Sequence, residues 1–238
     1  MTESHTRPVA IVTGASRGFG RAVTAALLDR GWAVVGDARR VTDLEMTARQ
    51  LNSAQLIALP GDVTDASHRD ALVAAAIDTG PLRLLVNNAS RLGPSPQPAL
   101  AEYPAGELWA VYQANVFAPL ALIQAALPAL ADNAGAIVNL SSDAAVEPYP
   151  GWGGYGSSKA ALDQLSAILA AEAPAVSVYA FDPGDMRTEM HQAAFPGEDI
   201  SDRAEPEAKV PALLRLLDTR PAAGRYRAVD LALSGARP

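Results

Sequence analysis

Short, unbroken apolar runs alternate along this chain with longer segments whose apolar residues recur at helical spacing. Val9 to Val12 runs directly into Thr13-Gly14. It predicts a strand buried on both faces, because a half-exposed strand would alternate polar and apolar positions. Arg21 to Arg30 then carries Val23, Ala26 and Leu27 on one helical face and stops at Gly31. Further strands are expected over Trp32–Gly36, Leu56–Leu59, Leu82–Val86, Ala136–Leu140 and Val176–Phe181. Helices are expected over Asp43–Leu51, from a Thr64 or Asp65 cap to Ile77, over Glu107–Leu130 with a kink at Pro119, and over Ser157–Glu172. A proline-rich loop spans Gly93–Pro98, Met186–Glu205 reads as irregular and polar, and Pro206–Leu217 and Tyr226–Leu231 read as a last helix and a closing strand.

Strand and helix alternate throughout, and the strands are continuously apolar. A parallel sheet covered on both faces by helices reads this way, so the expected fold is α/β: a doubly wound, Rossmann-type sheet. No linker, internal repeat or low-complexity tract interrupts it. A single domain over residues 1–238 is expected, with residues 1–7 as a polar tail.

The 238 residues are 49% hydrophobic and 19% charged, enough to build a soluble core without covalent staples. The absence of cysteine removes disulfides and thiolate metal sites and fits a reducing compartment. His5, His68 and His191 lie far apart and show no ligand spacing, so no metal is expected. A net charge of −7 and a pI near 4.9 argue against nucleic acid or an anionic membrane as partner. The polar start lacks the apolar core of a signal peptide, and no uninterrupted apolar run reaches the roughly eighteen residues of a membrane span. A cytoplasmic protein is expected.

Two features carry chemistry. Lys159 is one of only two lysines, the other being Lys209, against seventeen arginines, and it stands four residues after Tyr155. On a helix the two side chains share a face. A compact ammonium, unlike a planar guanidinium, can sit beside a phenol, stabilise its anion and draw its pKa toward neutrality. Upstream, Thr13-Gly14-Ala15-Ser16-Arg17-Gly18-Phe19-Gly20 joins the first strand to the first helix. Three glycines there let the backbone approach a pyrophosphate at the positive end of the helix, in a G-x-x-x-G-x-G spacing that differs from G-x-G-x-x-G.

Together with Asn87-Asn88-Ala89 and Ser142, these residues resemble the short-chain dehydrogenase/reductase family over nearly the whole chain, from Pro8 to about Leu231. The resemblance implies a dinucleotide held by the turn residues Gly14, Ser16, Arg17, Gly18, Phe19 and Gly20. It places adenine contacts at Asp62 and Val63. Asn88 and Ala89 would sit near the nicotinamide ribose, with Ser90 standing where the family has glycine. Pro183-Gly184 would be the family's cofactor-side motif after the sixth strand, and Thr188 would contact the carboxamide. It further implies Tyr155 as general acid and base, Lys159 bonding the ribose hydroxyls, Ser142 orienting the substrate oxygen and Asn115 holding a water that relays protons to the lysine. Ser142 lies thirteen residues before Tyr155, as in the family; the adjacent Ser141 is its rival.

Cofactor choice turns on charge at the end of the second strand, where an acid bonds a free ribose 2′-hydroxyl and an arginine pairs with a 2′-phosphate. By family alignment the acid position is Ala38, Arg39 takes the phosphate-binding place and Arg17 adds a second cation, while Asp37 stands close by. NADP(H) is the expected cofactor and NAD(H) the alternative. The expected activity is NADPH-dependent reduction of a carbonyl compound to a secondary alcohol. The alternatives are an NAD(P)-dependent alcohol dehydrogenase and a non-catalytic dinucleotide-binding regulator. Loops Arg91–Gln97, Asp143–Trp152 and Met186–Glu205 would enclose the substrate with Tyr149, Trp152, Met190, His191 and Phe195, the last loop acting as a lid. Helices Glu107–Leu130 and Ser157–Glu172 are apolar on more than one side, which points to a homodimer or homotetramer.

Overall fold

The structure, a computed structural model, describes residues 7–233, so the tail expected over 1–7 lies outside the described residues apart from Arg7. Strand β1 (Val9–Val12) feeds α1 (Gly18–Asp29), followed by β2 (Ala33–Ala38), α2 (Val41–Leu51), β3 (Leu56–Pro60), α3 (Ala66–Thr79) and β4 (Leu82–Asn87). Helices α4 (Ala105–Tyr112) and α5 (Ala118–Asp132) come next, joined by a π turn over Gln113–Phe117. The chain continues through β5 (Ala136–Leu140), α6 (Gly153–Glu172), β6 (Ser177–Asp182), α7 (Glu189–Ala194), α8 (Val210–Thr219), β7 (Gly224–Arg227) and α9 (Ala228–Leu233).

The seven strands form one parallel sheet in the order β3-β2-β1-β4-β5-β6-β7. Alternate residues of each strand enter different cores. Ala10, Val12, Val34 and Val86 pack with Val23 and Leu27 of α1 and Leu213 and Leu216 of α8. Val9, Ile11, Val35 and Leu85 pack with Leu72 and Ala76 of α3 and Leu122 and Ala126 of α5. Both faces are therefore covered, which is why the strands read as continuous apolar runs. Successive strands leave β1 first toward β2 and then toward β4, and at such a reversal the carboxyl ends of the strands open a crevice.

Several boundaries differ from expectation. The closing strand is Gly224–Arg227, not Tyr226–Leu231. Its pairing ends where β6 ends, at Asp182 opposite Arg227, and the apolar residues beyond belong to α9, whose Ala228 and Leu231 join the core beside α8. Helix α6 starts at Gly153, because Leu100 and Tyr103 occupy the space where side chains at Gly153 and Gly154 would project. Glycines that look like helix breakers are required there by packing. The irregularity expected at Pro119 falls just before it: Ala118 donates to the Gln113 carbonyl across the π turn, and Pro119 sits in the first turn of α5. Within the irregular stretch Met186–Glu205, Thr188 caps the short helix α7 by accepting from the His191 amide at 3.2 Å. The continuous helix Ala105–Asp132 is long and apolar enough to cross a membrane by length and composition, which the interrupted apolar run had concealed. Its α5 half packs on the sheet through Leu122, Ile123, Ala126 and Leu130.

Candidate active site

The ends of β1 and β4 are stapled together. The Thr13 hydroxyl accepts from the amides of Asn88 and Ala89, both at 3.0 Å, and Asn88 Nδ2 donates to the carbonyls of Thr13 (2.8 Å) and Gly14 (3.2 Å). Gly14 turns the chain with φ +69°, and a methyl on Gly20 would collide with the Gly14 carbonyl and Asn88 Nδ2. Helix α1 begins inside this turn with no side-chain cap and no acid in its first turn. Its first amides keep their partial positive charge, an arrangement suited to a phosphate group.

A cleft of about 1150 Å³ runs over this turn. At one end it is lined by Arg39, Asp62 and Val63, in the middle by Gly14 and Ser16 to Phe19, and at the other end by Asn88, Ala89, Tyr155 and Lys159. Pro183 and Thr188 close the far side. Most of the residues expected to hold a dinucleotide are thus brought to one continuous surface. Gly20 and Gly184 do not line it. Gly20 is packed against Gly14, and Gly184, at φ +71°, donates its amide to Asp182 at 2.9 Å. Phe19 lines the cleft with little exposed surface, its ring stacked on Phe181 at 6.0 Å.

The arginines differ in their engagements. Arg17 pairs with Glu189 of α7, and Arg40 pairs with both Asp43 (2.6 Å) and Glu189 (3.5 Å). Arg39 is exposed and has no hydrogen bond or ion pair among the described residues. Asp37, the competing acid, is buried: Oδ1 accepts from the Gly14 amide at 2.8 Å and Oδ2 from His68 Nε2 at 3.1 Å. Burial holds its pKa above the usual carboxylate range, against the pull of those two hydrogen bonds.

At the opposite end, α6 presents Tyr155, Lys159 and Asp163 at successive i, i+4 positions. Lys159 Nζ lies 5.5 Å from the centre of the Tyr155 ring and donates to the Leu140 carbonyl at 2.6 Å. Burial lowers the amine to about 8, with the Asp163 carboxylate acting in the opposite sense. The expected acidification of Tyr155 by Lys159 is not what the structure gives. Burial raises the phenol well above its ordinary value, Asp182 and Asp143 raise it further, and the hydroxyls of Ser90 and Ser142 pull it back. Lys159 is itself buried and directed at a carbonyl, so desolvation dominates both groups.

Ser142 does not line the cleft, but its hydroxyl acts on Tyr155. That hydroxyl also donates to Asp143 Oδ1 (2.9 Å) and accepts from the Ala144 amide (3.2 Å), capping the short turn Asp143–Ala145. Its rival Ser141 lines the cleft yet commits its hydroxyl to Asp163 at 2.7 Å. Asn115 is fully buried away from the cleft. Nδ2 donates to the Arg91 carbonyl (2.9 Å) and Ser158 Oγ (3.0 Å), while Oδ1 accepts from the Arg91 amide (2.8 Å) and the Ser90 hydroxyl (3.1 Å). A side chain so fully engaged has no capacity left for a relay water.

Three features escape sequence reasoning. Ser90 places a hydroxyl next to the phenol, where only a missing glycine was visible. The Asp37–His68 pair joins residues 31 positions apart. Finally, Arg225 of β7 reaches back to Asp163 Oδ2 (3.1 Å), Asp182 Oδ2 (2.8 Å) and the Ser142 carbonyl (2.9 Å), gathering α6, β6 and the serine loop around one cation. None of these contacts leaves a periodic signal.

A family model described as short chain dehydrogenase matches residues 8–199. Sepiapterin reductase of Meriones unguiculatus is 35% identical over 201 residues, covering 78% of this chain and 77% of that protein. Serine 3-dehydrogenase of Agrobacterium fabrum is 36% identical over 186 residues, covering 76% of this chain and 72% of its own. Among solved structures, a short chain dehydrogenase from Escherichia coli CFT073 complexed with NADPH superposes with a TM-score of 0.86 at 29% identity, covering 93% of this chain and 96% of that one.

Proposed function

The chain belongs to the short-chain dehydrogenase/reductase family, oxidoreductases acting on CH–OH and C=O groups, and on that premise we propose that it is an NADPH-dependent carbonyl reductase forming a secondary alcohol. The observation that carries this reading is the buried Tyr155–Lys159 pair at one end of a cleft whose middle is an uncapped helix N-terminus.

The residues present fit a dinucleotide. The Gly14–Phe19 turn and the α1 amides suit a pyrophosphate, Asp62 and Val63 an adenine, and unpaired Arg39 a 2′-phosphate. Asn88, Ala89, Pro183 and Thr188 lie where the nicotinamide half would rest. The NADPH complex of the Escherichia coli relative supports the phosphorylated form.

A bound reduced nicotinamide supplies the hydride that the carbonyl carbon receives. As negative charge builds on the carbonyl oxygen, Tyr155 donates its phenolic proton to it, and the Ser142 and Ser90 hydroxyls beside the phenol would serve the substrate oxygen by turning from Asp143 and Asn115. A phenol that burial keeps protonated suits the reductive direction, since the resting group already carries the proton to be delivered. Lys159 then favours the transient phenolate and returns a proton to it. Leu92, Ala144, Trp152 and Met190 pack around Tyr155, an apolar surround that suits a moderately hydrophobic ketone. Residues 186–205 act as the lid, with α7 held over the cleft by Glu189. The exposed Trp109 and Phe117, whose rings lie 5.7 Å apart on the α4–α5 surface, support a homodimer or homotetramer.

The test is NADPH consumption against a panel of ketones. Tyr155→Phe should lower kcat by about 10² to 10⁴-fold, with NADPH affinity retained. Turnover untouched by that substitution would remove Tyr155 from the chemistry.

A further inference from the structure

The end of β2 carries two residues of opposite meaning, Asp37 and Arg39, and the cleft is lined by both. A free carboxylate there accepts a hydrogen bond from a ribose 2′-hydroxyl and repels a 2′-phosphate. Asp37 is not free. Gly14 donates to one oxygen at 2.8 Å and His68 to the other at 3.1 Å, leaving the carboxylate side chain 2% exposed and the imidazole 10%. A carboxylate only accepts, so the bonded ring nitrogen carries the proton whether the ring is neutral or cationic. The ring of His68 also lies against the Gly61 backbone, where a methyl group would strike it. It therefore lies between the acid and the Gly61 backbone.

We propose that His68 is a specificity-determining residue for the dinucleotide: by engaging Asp37 it occupies the second carboxylate oxygen at the cleft wall and leaves Arg39 to decide in favour of the 2′-phosphate. This rests on the dinucleotide reading of the cleft given above. Neither side chain touches the reacting atoms, and His68 acts through Asp37 as a positioning residue. The Gly14 amide alone holds only Oδ1. With the imidazole gone, Oδ2 has an open neighbour and becomes an acceptor at the place where the two dinucleotides differ. The two effects of that change reinforce each other, since the new acceptor welcomes a hydroxyl and opposes a phosphate.

The experiment is direct binding of NADP⁺ and NAD⁺, followed by calorimetry or tryptophan fluorescence, to wild type, His68→Ala, Asp37→Asn and the double variant. His68→Ala should shift the ratio of the two dissociation constants toward NAD⁺ by about tenfold, equivalent to ~1.4 kcal/mol. Asp37→Asn alone should leave the ratio near wild type, and in the double variant it should return there, because an amide carries no charge to expose. A purely structural role for His68 would weaken both ligands alike; that outcome, or an unchanged ratio, overturns the inference. His68→Ser also vacates the ring's place and reads the same ratio if His68→Ala does not fold. Wild-type protein that binds neither dinucleotide would instead defeat the reading of the cleft itself.

Discussion

Replacing Lys159 by methionine should make this protein more stable at neutral pH while removing its activity. The amine is 2% exposed, and burial lowers its pKa from 10.5 to about 8. At about 1.36 kcal/mol per pKa unit, keeping it charged in the folded state costs about 3 kcal/mol. Methionine has a similar length and no charge, so that penalty disappears. The loss is the hydrogen bond to the Leu140 carbonyl, worth about 1 to 2 kcal/mol when a buried acceptor is left alone. The net expectation at pH 7 is a gain of about 1 to 2 kcal/mol. The sign depends on pH. The folded amine binds its proton more weakly than the unfolded one, so the penalty is complete below about pH 8 and fades as pH rises toward 10.5. Urea denaturation of both proteins at pH 7 and pH 9.5 should show the advantage of the variant shrinking by about 2 kcal/mol. A variant less stable than wild type at pH 7, by an amount independent of pH, would mean that the buried amine is not a strained charge.

Two further substitutions test the cleft. Arg39→Ala should raise the NADP⁺ dissociation constant about 10- to 100-fold, the value of a charge-assisted contact, and change NAD⁺ binding less than threefold or so; equal effects on both would remove the phosphate contact from Arg39. Gly20→Ala drives a methyl into the Gly14 carbonyl and Asn88 Nδ2, both fixed by the β1–β4 staple, so thermal melting should fall by the equivalent of about 1 to 3 kcal/mol and dinucleotide binding should be lost with it. A normal melting temperature in that variant would show the turn to be loosely packed.

The fold was legible because its signal is local. Each apolar run such as Val9–Val12 or Ala136–Leu140 carries its own evidence of burial on both faces, and the strands form where those runs stand. Boundaries were lost wherever a distant residue decides them. Gly153 and Gly154 are helical because Leu100 and Tyr103 occupy the neighbouring space, and β7 stops at Arg227 because its partner β6 stops there. In the site, Tyr155 and Lys159 share a face through helical spacing alone, and the glycine turn announces an unprotected helix end. The state of those groups was not legible. Burial is a property of everything packed around a side chain, and it reverses the expected acidity of Tyr155. Asn115 shows the same limit: its identity marks the position, but only the hydrogen bonds reveal that its side chain is structural.

Arg225 belongs to the last strand of the sheet, so the cation that draws Asp163, Asp182 and the Ser142 carbonyl together emerges late from the ribosome. Until that strand docks, Asp182 lacks this cation, Asp163 keeps only Lys159 and the Ser141 hydroxyl, and the serine loop lacks its tether. The arrangement of this corner therefore depends on β7. A nascent fragment ending before β7 would already own the glycine turn, the tyrosine and the lysine, yet its reactive corner would still be unfinished.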